Sequence, residues 1–211
     1  MAQTPLVDRE IHRREMAETI RKWQAGGSMK ILTYSLVGLR ADCDFMLWRI
    51  CYSLDCMQEM AADVSRTRLG GYLELRHNLL GMTRRSVYAM NDETRSELRG
   101  ALHAGGSRYL HVYPLVRTRP WYLLPFQERQ RMVHEITKLH DEFPDVRVNV
   151  AYSFGLGEQD FIVVLEGDRP EDFLERTMRL KETDSGPYVQ SDTPSFTCVQ
   201  TGLDHMLEQL G

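Results

Sequence analysis

A chain of 211 residues, 42% hydrophobic and 27% charged, has the composition of an ordinary globular protein and the length to bury a sizeable core, as one domain or two small ones. The net charge of −4 comes with no basic stripe, which argues against a nucleic-acid partner, and no apolar run approaches the roughly 18 residues that span a membrane. The amino terminus lacks the charged-then-apolar layout of a signal peptide, so a cytoplasmic location is expected. The four cysteines, Cys43, Cys51, Cys56 and Cys198, form no Cys-x-x-Cys pair and no zinc-ligand spacing with a histidine, which predicts reduced core residues.

Residues 7–23 form a charged amphipathic segment whose apolar positions Val7, Ile11, Met16, Ile20 and Trp23 predict a helix lying on a surface, ended by Gly26-Gly27-Ser28. Residues 30–37 alternate as a strand. The spacing of Cys43, Leu47, Ile50, Leu54, Met57 and Ala61 predicts one long helix over 42–64 with a buried stripe. Residues 69–77 and 85–90 read as two further strands, and 91–103 as a helix capped by Asn91-Asp92 and ended by Gly105-Gly106.

From residue 109 the pattern sharpens. Tyr109, His111 and Tyr113 alternate with Leu110, Val112 and Pro114, the period of two of a half-buried strand. Arg119-Pro120-Trp121-Tyr122 interrupts it, because Pro120 has no backbone N–H and biases Arg119 toward extended geometry. Pro125 opens a helix with Met132, Val133, Ile136, Leu139, His140 and Phe143 on the inward side; Arg131, His134, Glu135, Lys138, Asp141 and Glu142 fall mostly outward. Pro144 stops it, and residues 146–152 resume strand alternation before the turn Ser153-Phe154-Gly155-Leu156-Gly157.

Residues 160–166 form an apolar strand, and Pro170 with the acidic residues 171–172 begins a helix that runs to about Lys181. A last strand at 194–201 and a short helix at 203–210 close the chain. The order strand, helix, two strands, helix occurs at 30–103 and again at 108–181. The repeat predicts an α+β fold of two ferredoxin-like βαββ(α) halves, with antiparallel sheets and outer helices. The expected division is a helical extension at 1–27, a first half at 28–106 and a second half at 107–211.

Several separated motifs stand in one order: YSLVGLRADCDFMLWRI from Tyr34, VYPLVRTRPWYLLPFQERQRM from Val112, then YSFGL, DFIVVLEGDRPEDF and DTPSFTC. Together, over about residues 30–199, they resemble the chlorite dismutase-like superfamily, which includes the coproheme decarboxylases. The resemblance implies a dimeric α+β barrel, homo-oligomeric rings that are usually pentamers, haem b or coproheme in the second half, and oxidoreductase chemistry of the peroxide-dependent decarboxylase or peroxidase-like kind. It makes Tyr113 the catalytic radical relay, Arg117 a partner of a porphyrin propionate, and Trp121 with Tyr122 the following aromatic pair. The family's proximal haem histidine falls, counted from Arg129, on Ile136, which cannot ligate iron. The distal position, counted back from Ser153, falls on Val148, and strand alternation puts the adjacent Arg147 on the other face.

Two histidines flank the ligand position. His140 lies one turn on along the same face, displaced by about 6 Å, and is the first candidate metal ligand. His134 is the second, but about 200° around the helix it should point outward; a two-residue shift would restore the family's spacing of thirteen from His134 to Arg147. His111 is a further pocket-lining candidate beside Tyr113. Read as residues alone, Tyr113 is equally an inner-face tyrosine bonded through its hydroxyl, Arg117 and Arg119 a solvated corner, His134 a surface side chain, and Glu158 and Asp160 turn residues. Two functions therefore remain open: a haem-dependent oxidoreductase, or a member that has lost its axial ligand and serves as a binding or assembly subunit.

Overall fold

A computed structural model describes residues 6–89 and 96–211. Its helices are α1 (Leu6–Ala25), α2 (Leu54–Arg66), α3 (Ser96–Arg99), α4 (Arg119–Leu123), α5 (Phe126–Glu142), α6 (Pro170–Lys181) and α7 (Leu203–Glu208). Its strands are β1 (Met29–Ser35), β2 (Phe45–Cys51), β3 (Tyr109–Arg117), β4 (Arg147–Tyr152), β5 (Phe161–Gly167), β6 (Val189–Ser191) and β7 (Phe196–Gln200). The chain is α+β, as its alternating periods predict, and it divides into two compact units: Met1–His77 with Cys198–Gly211, and Asn78–Thr197. This division does not follow the linear boundary at 106, because the last 14 residues return to the first unit.

In the first unit β1 lies between β2 and β7, antiparallel to both, with pairings from Met29↔Cys51 to Ser35↔Phe45 on one side and Tyr34↔Gln200 on the other. Met16, Ala17 and Ile20 of α1, Met29 and Ile31 of β1, Met60 of α2 and Met206 and Leu207 of α7 form its core. The amino-terminal helix is thus part of a core rather than a surface appendage. Its expected stripe is narrower, since Met16 and Ile20 are fully buried while Ile11 is exposed.

The long helix expected over 42–64 is two elements. Residues 45–51 are Phe-Met-Leu-Trp-Arg-Ile-Cys, and their aromatic and branched side chains suit a pleated surface beside β1. The helix starts only at Leu54, where the Ser53 hydroxyl accepts the backbone N–H groups of Asp55 and Cys56. A stretch apolar at nearly every position fits a three-and-four spacing and an alternation equally well, and the cap decides where one gives way to the other.

The strands expected at 69–77 and 85–90 do not form over the described residues. Residues 73–89 have no regular structure beyond a single bridge from Met82 to Tyr152. Leu75, the apolar centre of the first expected strand, is exposed, so its alternation has no face to bury. The Asn91-Asp92 cap lies outside the described residues, and the helix ends at Arg99 rather than 103. Gly100 stops it: its φ is +74°, and a Cβ there would stand 2.3 Å from the Arg84 backbone.

The second unit follows its expected order from residue 109 onward: β3, α5, β4, β5, α6. β5 is central, paired antiparallel with β3 through Tyr113↔Val163 and with β4 through Val148↔Leu165, and β6 adds to the end of β3. One local expectation fails. Arg119 is not extended but sits in the first turn of α4, with Thr118 taking the extended conformation and Pro120 inside the turn, where its missing N–H costs nothing.

Candidate functional site

Alternation and register place Tyr109, His111 and Tyr113 of β3 on one face with Val148 and Val150 of β4 and Val163 and Leu165 of β5. Tyr113, Val146, Val148, Val163, Leu165 and Phe173 bury one another in a single apolar cluster, and Phe143, the C-cap residue of α5, packs against it. Phe173 is brought there by α6, and His111 stacks on it with ring centroids 6.2 Å apart and lies 5.6 Å from Tyr113. His111 Nδ1 is 2.9 Å from the Thr197 hydroxyl, and burial lowers the histidine's pKa, which favours the neutral imidazole. The Tyr113 phenol is pushed upward by burial, against the lowering pull of the Arg176 charge.

At the end of β3, Arg117 turns inward. Its Cζ lies 4.4 Å from the centroid of the Trp121 ring, and its Nη1 donates to the Ser185 carbonyl at 3.1 Å. Asp160 Oδ2 accepts both the Arg117 backbone N–H and the Tyr122 hydroxyl at 2.7 Å, so Asp160 is a clamp between strand and corner rather than a turn residue alone. Burial and this bond hold the Tyr122 phenol above its usual pKa. The solvated-corner reading of Arg117 does not survive, for its side chain is buried against the buried Trp121.

Helix α5 turns inward the side expected, with Thr137 added to it. Met132, Thr137 and Leu139 are its buried residues, while Val133, Ile136 and His140 are half-buried. Thr137 escaped the apolar pattern because its hydroxyl is satisfied by the His134 carbonyl at 3.0 Å. His134 is not a solvated surface side chain: its Nε2 donates to the Tyr88 carbonyl at 3.1 Å. Gln130 Nε2 reaches the same carbonyl, and Arg129 Nη1 donates to the Tyr88 hydroxyl at 3.1 Å. Tyr88 also meets the Trp121 and Phe126 rings, so α5 spends this flank anchoring residues 86–89.

The opposite face of the sheet carries a polar network that the periodicity did not reveal. Glu166, at 1% exposure, accepts the Gly105 N–H at 2.7 Å and Asn149 Nδ2 at 3.2 Å, and Arg147 stands 3.7 Å away. Asn149 also brackets His103, accepting its N–H and donating to its carbonyl. Arg147 and Val148 therefore face opposite ways, as alternation requires.

The chain matches the chlorite dismutase family over residues 9–201. It belongs to the chlorite dismutase family. A coproheme decarboxylase of Mycolicibacterium smegmatis is 29% identical over 199 residues, covering 93% of this chain and 84% of that protein. The chlorite dismutase of Candidatus Nitrospira defluvii, solved in complex with imidazole, superposes with a TM-score of 0.86 at 25% identity, over 98% of this chain and 87% of that one. A mutant of the same enzyme gives a TM-score of 0.87 at 25% identity, covering 98% and 88%.

Of the residues that the resemblance singles out, Tyr113 lies midway along β3, Arg117 at its end and Trp121 in α4. Ile136, where the resemblance would put an axial ligand, is half-buried; His134 is turned to Tyr88, and His140 lies in the last helical turn. Val148, where the resemblance would put a distal group, is 4% exposed inside the Tyr113 cluster. Among the described residues no group of three or more His, Cys, Asp and Glu is placed to hold a metal ion. Ile136 cannot ligate iron, and the Tyr88 carbonyl holds His134 Nε2. No described helix is long and apolar enough to cross a membrane.

Proposed function

We propose that this chlorite dismutase-family chain is a binding or assembly subunit, whose second unit holds its ligand by apolar contact and charge rather than by an axial bond to iron. The observation that carries the reading is the pair Ile136 and Val148, alkyl groups at both positions where the resemblance expects iron chemistry, with Val148 packed into the Tyr113 cluster. Assembly into a homo-oligomeric ring, pentameric by resemblance, and residence in the cytoplasm belong to the same proposal. Absorption titration of the purified protein with ferric haem and ferric coproporphyrin is the test. The wild type should give no stoichiometric ligated Soret band at micromolar porphyrin, and Ile136→His should create one. A wild-type band that disappears in His140→Ala or His111→Ala overturns the reading.

A second reading, a haem- or coproheme-dependent oxidoreductase acting as a peroxide-dependent decarboxylase or peroxidase, is favoured by Tyr113 and Arg117, which keep the places the resemblance assigns to relay and propionate partner. It requires peroxide-driven loss of propionate carboxyl groups from bound coproheme, abolished by Tyr113→Phe. Mass spectrometry of the porphyrin distinguishes the two.

A further inference from the structure

The outermost strands of the two units are finished differently. In the second unit β4 is closed off: Met82 exchanges both backbone hydrogen bonds with Tyr152 at 2.8 Å, and the side chains of Asn149 and Arg147 hold His103 and Gly105 against the strand. In the first unit β2 has one neighbour, β1, in a ladder that runs unbroken from Met29↔Cys51 to Ser35↔Phe45.

One bond shows which groups of β2 are bare. The Leu36 N–H donates to the Asp44 carbonyl at 2.7 Å, so Asp44 turns its backbone toward β1. Antiparallel ladders alternate, and Met46, Trp48 and Ile50 therefore do the same, while the N–H and C=O groups of Phe45, Leu47, Arg49 and Cys51 point away from the sheet. Among the described residues no backbone group of another segment bonds to those four.

The devices that blunt such an edge are missing. β2 is seven residues long with no proline, no lysine and no bulge, and its single charge, Arg49, is turned back so that Nη1 donates to the Met57 carbonyl at 3.2 Å. Phe45, Leu47 and Cys51 pack on the helix side with the first-unit core. Met46, Trp48 and Ile50 are left half-buried on the other face.

The strand fits its own copy. Two β2 strands run antiparallel about a two-fold axis at Trp48 set Phe45 opposite Cys51 of the partner subunit and Leu47 opposite Arg49 of the partner subunit, so bare groups meet bare groups along the whole strand. The same register sets Met46 opposite Ile50 of the partner subunit and the two Trp48 backbones about 4.5 Å apart at Cα. Beyond the strand, the exposed carboxylate of Asp44 falls opposite Tyr52 of the partner subunit, and Tyr52 is fully exposed. An acid thus meets a hydroxyl donor at each end and no like charges face one another, which singles out a second copy over an unrelated strand.

We propose that β2 is a docking edge for β2 of a second copy of this chain, the two joining into one antiparallel sheet across a two-fold axis. The contact goes beyond the ring proposed above. A two-fold contact closes on itself and cannot build an odd-membered ring, so on a ring it joins two rings.

Sedimentation velocity and native mass spectrometry of the full-length protein test it. The number of copies should be even: two, or two rings together. Met46→Glu with Ile50→Glu places like charges opposite one another across the axis, and Met46→Lys with Ile50→Lys does so with the other sign. Each double variant should halve the assembly, and mixing the two in equal amounts should restore it. Amide exchange on the wild type is a readout without variants: in the pair Phe45, Leu47, Arg49 and Cys51 should exchange as slowly as Met46, Trp48 and Ile50. A single copy, an odd number of copies, an even assembly that survives both double variants, or fast exchange at every second residue overturns the proposal. Protection of the four that persists in the separated chain would mean that the edge is covered from within, and overturns it too. Circular dichroism confirms the fold of each variant; should either fail to fold, the copy number and exchange pattern of the wild type decide. None of these readouts involves a porphyrin, so the outcome is independent of the Soret titration.

Discussion

The interiors of the two units are built on different terms. In the first, the core is Met, Ile, Leu and Ala, and the buried polar side chains are hydroxyls, those of Thr33, Ser35 and Thr67. In the second, Arg117, Glu166 and Arg176 lie buried along with Asn149 and Gln159. Among the described residues the first unit encloses no charge and the second encloses three, of which Glu166 is surrounded by donors and the Arg117 guanidinium meets a carbonyl and an aromatic ring. Buried charge of the first sort holds a loop, and that of the second sort is met by a carbonyl and an aromatic ring.

The sharpest way to break this comparison is Glu166→Ala. Removing the carboxylate strands the Gly105 N–H, Asn149 and Arg147, and the expected loss is about 3 to 5 kcal/mol, read from urea unfolding. A loss below about 1 kcal/mol would mean that the network is decorative. Ile20→Ala in the all-apolar core should cost about 3 kcal/mol by the same measurement, through lost burial and a residual cavity. A negligible cost there would detach α1 from the first unit.

Smaller effects refine the picture. His134→Phe removes one of two donors to the Tyr88 carbonyl and should cost about 1 kcal/mol, with faster hydrogen exchange over residues 84–89 while the rest of the unit is unchanged. The smallest expected effect is on pH dependence. Burial holds the His111 pKa below its usual 6.5, so the folded chain takes up that proton less readily than the unfolded one. Stability from the neutral imidazole is whole above pH 6.5 and declines as the pH falls through the lowered value. His111→Gln should flatten the stability profile on the acid side of that point, and an unchanged slope would assign the dependence to other groups.

Much of the second unit was legible from residue order. The strand from Tyr109, the helix opened by Pro125 and stopped near Pro144, and the strand ending at Tyr152 each carry their own period and their own stop, and all three form. Register then follows from alternation, so that Tyr113 and Val148 on one face and Arg147 on the other were readable in advance. The expected strand at 69–77 failed because alternation without a neighbouring strand has no ladder to join. The expected helix at 42–64 failed because an unbroken apolar run carries no period of its own.

The site divides in the same way. The absence of an imidazole at position 136 is a fact of the residue order, and no folding alters it. Arg176 was hidden because a charged residue in a charged helix reads as solvated, although its spacing of three from Phe173 was a usable signal. His134 and Glu166 were misread or missed for a related reason: whether a polar side chain faces water or a partner depends on the carbonyl of Tyr88 or the N–H of Gly105, groups that lie 46 and 61 residues away along the chain. Residue order by itself determined the local elements from residue 109 onward, their faces and the isoleucine at position 136, since these depend on neighbours within a few positions. Only tertiary structure decided which charges are enclosed and which are answered, because desolvation and pairing are set by groups that folding alone brings together.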